Sequence, residues 1–98
     1  MTARLVREGD SLRLEGVISY DNADALCTEG LRLLGQAGRQ VTVDLSGLTG
    51  ASSLSVAVLL RWARAAAGNG QFLQLAGVPE RCRAIVRVSG LSDALPEA

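Results

Sequence analysis

The sequence predicts an α/β domain: a small, mixed, mostly parallel sheet that opens with an N-terminal hairpin and has three helices packed on it. Three observations predict it. Leu5-Val6 and Ser11–Glu15 are strand patterns separated by Glu8-Gly9-Asp10, a turn composition, so they read as a hairpin. Beyond them strand and helix patterns alternate, and strand-helix-strand units of this length imply parallel neighbours joined by helical crossovers. Finally, 98 residues, 48% of them hydrophobic, suffice for one two-layer core and not for two, so residues 1–98 are expected to form a single domain.

Each element has a local reason. Ser11-Leu-Arg-Leu-Glu15 alternates strictly, as a half-buried strand does, and Gly16 marks a bulge or bend before Val17 and Ile18 continue the sheet. Asp21 or Asn22 then caps a helix that carries Ala23, Leu26, Cys27, Gly30 and Leu34 on one face and ends at Gly35 or Gly38. Gln40–Asp44 is a β-branched strand. Ser46–Ser53, with three Ser, two Gly and a Thr, has the composition of a loop. A second helix runs from about Leu54 to Ala67, capped by Ser52 or Ser53 and stopped by Gly68-Asn69-Gly70. Phe72–Ala76 is the next strand. Gly77-Val78-Pro79-Glu80 opens a last helix with Pro at its first helical position, and Cys82, Ile85, Val86 and Ser89 line its inner face.

The second helix has more apolar surface than one core contact needs. At roughly 100° per residue, Val56, Leu59, Leu60, Ala63 and Ala67 form a core-facing stripe. The opposite side presents Leu54, Ala57, Val58 and Ala65 with Trp62 at its edge, interrupted by Ser55, Arg61 and Arg64. An apolar stripe rimmed by arginines beside a hydroxyl-rich helix start is the composition of a docking surface. On that reading the partner-binding residues are Ser52, Ser53, Leu54, Ser55, Val58, Arg61 and Trp62. The competing reading is that another element of the same domain covers the stripe.

Composition argues against several functions. Ten basic and ten acidic side chains cancel, and the arginines lack interleaved aromatics apart from Trp62, so no nucleic-acid partner is expected. Histidine and lysine are absent, which removes the commonest general base, the commonest zinc ligand and the lysine of a phosphate-binding loop. Cys27 and Cys82 lack the spacing of a metal site or redox pair and read as buried free thiols. No catalytic residue, cofactor or metal is therefore expected. The N-terminus lacks the apolar core of a signal peptide, and no stretch approaches the roughly 20 apolar residues that cross a bilayer. The reading that follows is a cytoplasmic protein with no direct membrane insertion.

Asp44-Leu45-Ser46, five residues, then Ser52-Ser53-Leu54-Ser55-Val56 and an aliphatic helix resemble the signature of STAS domains, the fold of anti-sigma factor antagonists and of the small STAS subunit of the Mla lipid-transport complex. Gly70–Pro79, a helix, Ser89-Gly90-Leu91 and Leu95-Pro96 are similar to the family's closing segment, so the resemblance covers nearly the whole chain. In the antagonists the loop ends in Asp-Ser-Ser-Gly-Leu and its second serine is phosphorylated; that position is Leu54 here, which has no hydroxyl. The Mla subunits tend to carry Asp-Thr-Gly-Gly-Leu with a functionally important Thr, which matches Ser53, while Ser52 stands in place of the family's Asp and Ser55 in place of its Gly. The resemblance implies a STAS-like fold and a non-catalytic accessory subunit. Such a subunit binds the cytoplasmic ATPase of an ABC-type phospholipid transporter serving outer-membrane lipid asymmetry, and through it the membrane permease, and is peripheral to the inner membrane. The alternative it implies is an antagonist-type signalling protein that binds a serine kinase.

Overall fold

The computed structural model describes residues 2–98. Strands β1 (Ala3–Glu8) and β2 (Ser11–Gly16) form the hairpin; α1 (Ala23–Leu34), β3 (Gln40–Asp44), α2 (Ser53–Gly68), β4 (Phe72–Ala76) and α3 (Glu80–Val88) follow. The sheet order is β1-β2-β3-β4, with β1 antiparallel to β2 and the other neighbours parallel. The predicted mixed, mostly parallel sheet with three helices is what the chain adopts.

The register explains the layering. Leu12 lies beside Val43 and Val43 beside Leu75, so the alternation within each strand places Leu12, Leu14, Val41, Val43, Leu73 and Leu75 on one face, all buried. They pack with Leu26, Leu33 and Leu34 of α1 and Val56 and Leu59 of α2 in one core. The opposite face carries Arg13, Glu15, Thr42, Asp44 and Gln74, none of them buried. Beyond β4 the C-terminal segment adds a bridge: Leu75 N–H donates to the Pro96 carbonyl (2.7 Å) and Ala98 N–H to the Leu75 carbonyl (2.7 Å). Arg83 of α3 clamps that segment through two hydrogen bonds to the Glu97 carboxylate (2.7 and 2.8 Å).

Several local expectations are corrected. Val17 and Ile18 leave the sheet, because Gly16 adopts φ 91°, in a position where a Cβ would run into the Thr2 carbonyl oxygen. Pro79, expected as the first helical residue, sits instead at the N-cap with ψ 145°, one position ahead of Glu80, where the helix begins. Asn22 occupies the N-cap of α1 without capping it: its side chain accepts from Ser19 N–H (2.8 Å) and donates to the Val17 carbonyl (2.9 Å), which fixes the loop instead. On α3, Cys82 and Val86 are buried as expected, but Ile85 is half-buried and Ser89 is an exposed C-cap.

The largest correction concerns α2. Trp62 is 0% exposed and Val58 4%, so neither belongs to an exposed stripe, and Ser55 is also fully buried. The residues buried on α2 are Ser55, Val56, Val58, Leu59, Trp62 and Ala66, which at 100° per residue span about 160° rather than the narrow stripe assumed. The helix lies over the sheet and contacts both α1 and α3, so neighbours take the flank that the sequence pattern left unpartnered. Gly30 makes that possible. A Cβ there would overlap the indole ring of Trp62, so only glycine lets the indole pack against α1 and donate its Nε1–H to the Cys27 carbonyl (3.1 Å). Of the residues expected in the core stripe, Leu60 and Ala63 are half-buried and Ala67 is exposed.

Candidate protein-docking site

The sheet positions the start of α2. Gly16 N–H donates to the Gly47 carbonyl (2.9 Å) and Thr49 N–H to the Gly16 carbonyl (2.7 Å), while buried Leu48 and Ala51 anchor the loop from inside. The helix then opens with a capping box. The Ser52 hydroxyl accepts from Ser55 N–H (3.4 Å) and the Ser55 hydroxyl accepts from Ser52 N–H (3.3 Å), so each side chain satisfies a backbone donor that has no helical partner. Ser52 is thus the cap. Ser53, the first helical residue, is exposed, and its hydroxyl makes no hydrogen bond among the described residues.

Ser53 and Leu54 form one wall of a groove of about 900 Å³. The β2–α1 loop supplies a second wall through Ile18, Ser19 and Tyr20, and α3 supplies the third through Arg81, Ala84, Ile85 and Val88. Those four recur at the i, i+3, i+4 and i+7 positions that share one helix face. Tyr20 is 91% exposed and Val88 84%, two large apolar side chains left to solvent at the same groove. The Asn22 bonds to Val17 and Ser19 hold the loop that presents Tyr20.

Of the residues expected at the docking face, Ser53 and Arg61 are exposed, Leu54 and Ser52 are half-buried at the groove, and Ser55, Val58 and Trp62 are interior. The sequence reading missed Tyr20, Arg81, Ile85 and Val88. The spacing of Arg81, Ala84, Ile85 and Val88 was a usable signal, since it gives α3 a second face beside Cys82 and Val86. Hydrogen bonds from Arg83 hold the Glu97 carboxyl below the usual carboxylate range, and burial pushes the Cys82 thiol up. That leaves the Cys82 sulfur protonated and shielded, a poor nucleophile.

The arrangement defines a class first. Three of the solved structures that share the fold over almost the whole chain illustrate it. One is the anti-sigma factor antagonist SpoIIAA in its unphosphorylated form: 17% identity, TM-score 0.76, covering 99% of this chain and 88% of that one. The second is an anti-sigma factor antagonist from Mycobacterium paratuberculosis: 17%, 0.74, 98% and 83%. The third is a single-residue variant of RsbS from Moorella thermoacetica: 18%, 0.73, 100% and 86%. At these identities they establish the fold, which is that of STAS and anti-sigma factor antagonist proteins. No curated protein matches the chain. The family model described as "Mlab, STAS domain" matches residues 1–97, and the chain belongs to that family.

Proposed function

We propose that this domain is a non-catalytic accessory subunit that docks on the ATPase of an ABC-type phospholipid transporter of the Mla kind, and through it is held beside the membrane permease on the cytoplasmic side of the inner membrane. The observation that carries the reading is the groove at the start of α2, lined by exposed Tyr20 and Val88 and by Ser53, whose hydroxyl is exposed and makes no hydrogen bond among the described residues. Ser53 stands where the Mla subunits carry their functionally important Thr, and the chain's family membership supports that branch. The partner surface comprises Ser53 and Leu54 with Tyr20, Ile85 and Val88; Ser52 and Ser55 act by holding the helix start rigid, and Arg61 lies further along the same exposed side.

A phosphorylation switch of the antagonist type has no acceptor at its family position, because Leu54 occupies it. The test is affinity purification of the tagged protein from its native cells, scored for a transporter ATPase and for a serine kinase, with phosphate mapped on Ser53 and Ser55 by mass spectrometry. Stoichiometric capture of the ATPase with both serines unmodified is expected. Capture of a kinase together with a phosphoserine would overturn the reading.

A further inference from the structure

Charge is distributed unevenly over the docking region, although the chain as a whole is neutral. Helix α2 contains no acidic residue, and its exposed side repeats Ser53, Ala57, Arg61 and Arg64, a stripe about 16 Å long that begins at the groove. Arg81 adds a cation from the opposite wall. All three arginines are exposed and none forms an ion pair or hydrogen bond among the described residues; Arg39 and Arg87 are likewise unmatched but do not line the groove, whereas Arg4, Arg13, Arg32 and Arg83 are each matched to a glutamate. The acids nearest the groove in sequence, Asp21 and Glu80, are not among its lining residues, and the Glu80 carboxylate is bonded to Arg83 (2.7 Å).

We infer that the groove and the stripe bind an acidic amphipathic segment of the partner, with apolar side chains seated between Tyr20, Leu54 and Val88 and carboxylates facing Arg61, Arg64 and Arg81. This rests on the docking role proposed above and adds the partner's chemistry to it. Arginine suits the task because its planar fork pairs with carboxylates in two-point contacts and it desolvates more readily than lysine. A protein segment is favoured over an anionic membrane because a helix that lies on lipid needs bulky apolar residues along its outward side, and between Ser53 and Arg64 that stripe offers only Ala57. Unpaired like charges along a face also steer an oppositely charged partner before contact, so the match acts on association rate and on selectivity.

The test places a photo-cross-linking amino acid at the position of Ala57, which is exposed within the stripe, in the full chain expressed in its native cells. The cross-linked segment is then sequenced by mass spectrometry. A net acidic segment is expected, with yield reduced at least about tenfold by Arg61→Glu, Arg64→Glu and Arg81→Glu together and an unchanged melting temperature, since the three side chains are exposed and unpaired. A neutral or basic segment, a cross-link to lipid, no cross-link, or a yield indifferent to the charge reversal would each overturn the inference. An acidic segment from a protein other than the transporter ATPase would uphold it and refute the partner assignment, while a neutral ATPase segment would do the reverse.

Discussion

Replacing Trp62 with alanine tests whether α2 is held in place from inside. Trp62 is the largest fully buried side chain, lies on Gly30 and donates to the Cys27 carbonyl, so its removal leaves a large cavity between α1 and α2. Truncations of this kind cost about 3–5 kcal/mol, a large part of the roughly 5–15 kcal/mol that stabilises a domain. At roughly 4–8 °C per kcal/mol for a domain of this size, the melting temperature should fall by at least about 12 °C. Gly30→Ala probes the same contact from the other side. Its Cβ would intrude on the indole ring, an overpacking cost of about 1–3 kcal/mol that outweighs the roughly 1 kcal/mol that alanine gains over glycine within a helix. In the Trp62→Ala background the ring is gone, so Gly30→Ala should become neutral or stabilising, a coupling on the order of 2 kcal/mol. Urea unfolding of the four variants, followed by far-UV circular dichroism, measures the cycle. An unchanged stability for Trp62→Ala, or an equal cost of Gly30→Ala in both backgrounds, would refute the packing described.

Three further outcomes follow from the structure. Ser52→Ala should lose about 1 kcal/mol of stability through the cap, whereas Ser53→Ala should stay within about 0.5 kcal/mol, and thermal melts that reverse this order would contradict the capping box. The carboxyls of Glu15, Glu29, Asp44 and Glu97 are held below their usual values by hydrogen bonds from Arg4, Arg32, Ser46 and Arg83; a depressed folded pKa gives stability that is present above the unfolded value and lost as pH falls through the folded one. With no histidine to titrate, the urea midpoint should therefore be flat from about pH 5 to 8 and decline below about pH 4, and a midpoint that rises on acidification would contradict the assignment. Cys27 and Cys82 are buried free thiols, so alkylation of the reduced native protein should be slow and become fast in urea; rapid native labelling of Cys82 would show that its helix opens readily.

Strand positions were legible because their residues are governed by near neighbours: Ser11–Glu15 announces itself by alternation and Gln40–Asp44 by its β-branched run, and the structure keeps both as strands. The orientation of α2 was not. A single stripe suffices for a helix with one neighbour, but α2 touches the sheet, α1 and α3, and nothing local shows that α1 crosses it at a glycine that admits an indole. The same limit hid the groove, whose walls come from Ile18–Tyr20, Ser52–Leu54 and Arg81–Ser89, three segments brought together only by the fold. Gln71 gives a smaller instance. Its side-chain amide donates to the carbonyls of Leu34 (2.9 Å) and Gly38 (2.9 Å), satisfying the end of α1 from a residue far along the chain.

On the proposed function, the groove at the start of α2, and not the buried flank of that helix, meets the ATPase. Tyr20→Ala and Val88→Asp alter the two most exposed apolar side chains of the groove, so both variants should keep the melting temperature of the parent. Titration of the purified ATPase into the parent and into each variant by calorimetry measures the consequence. Loss of at least about tenfold in affinity, corresponding to about 1.4 kcal/mol, with folding intact is the predicted result. Parental affinity in both variants would contradict it and place the contact elsewhere on the domain.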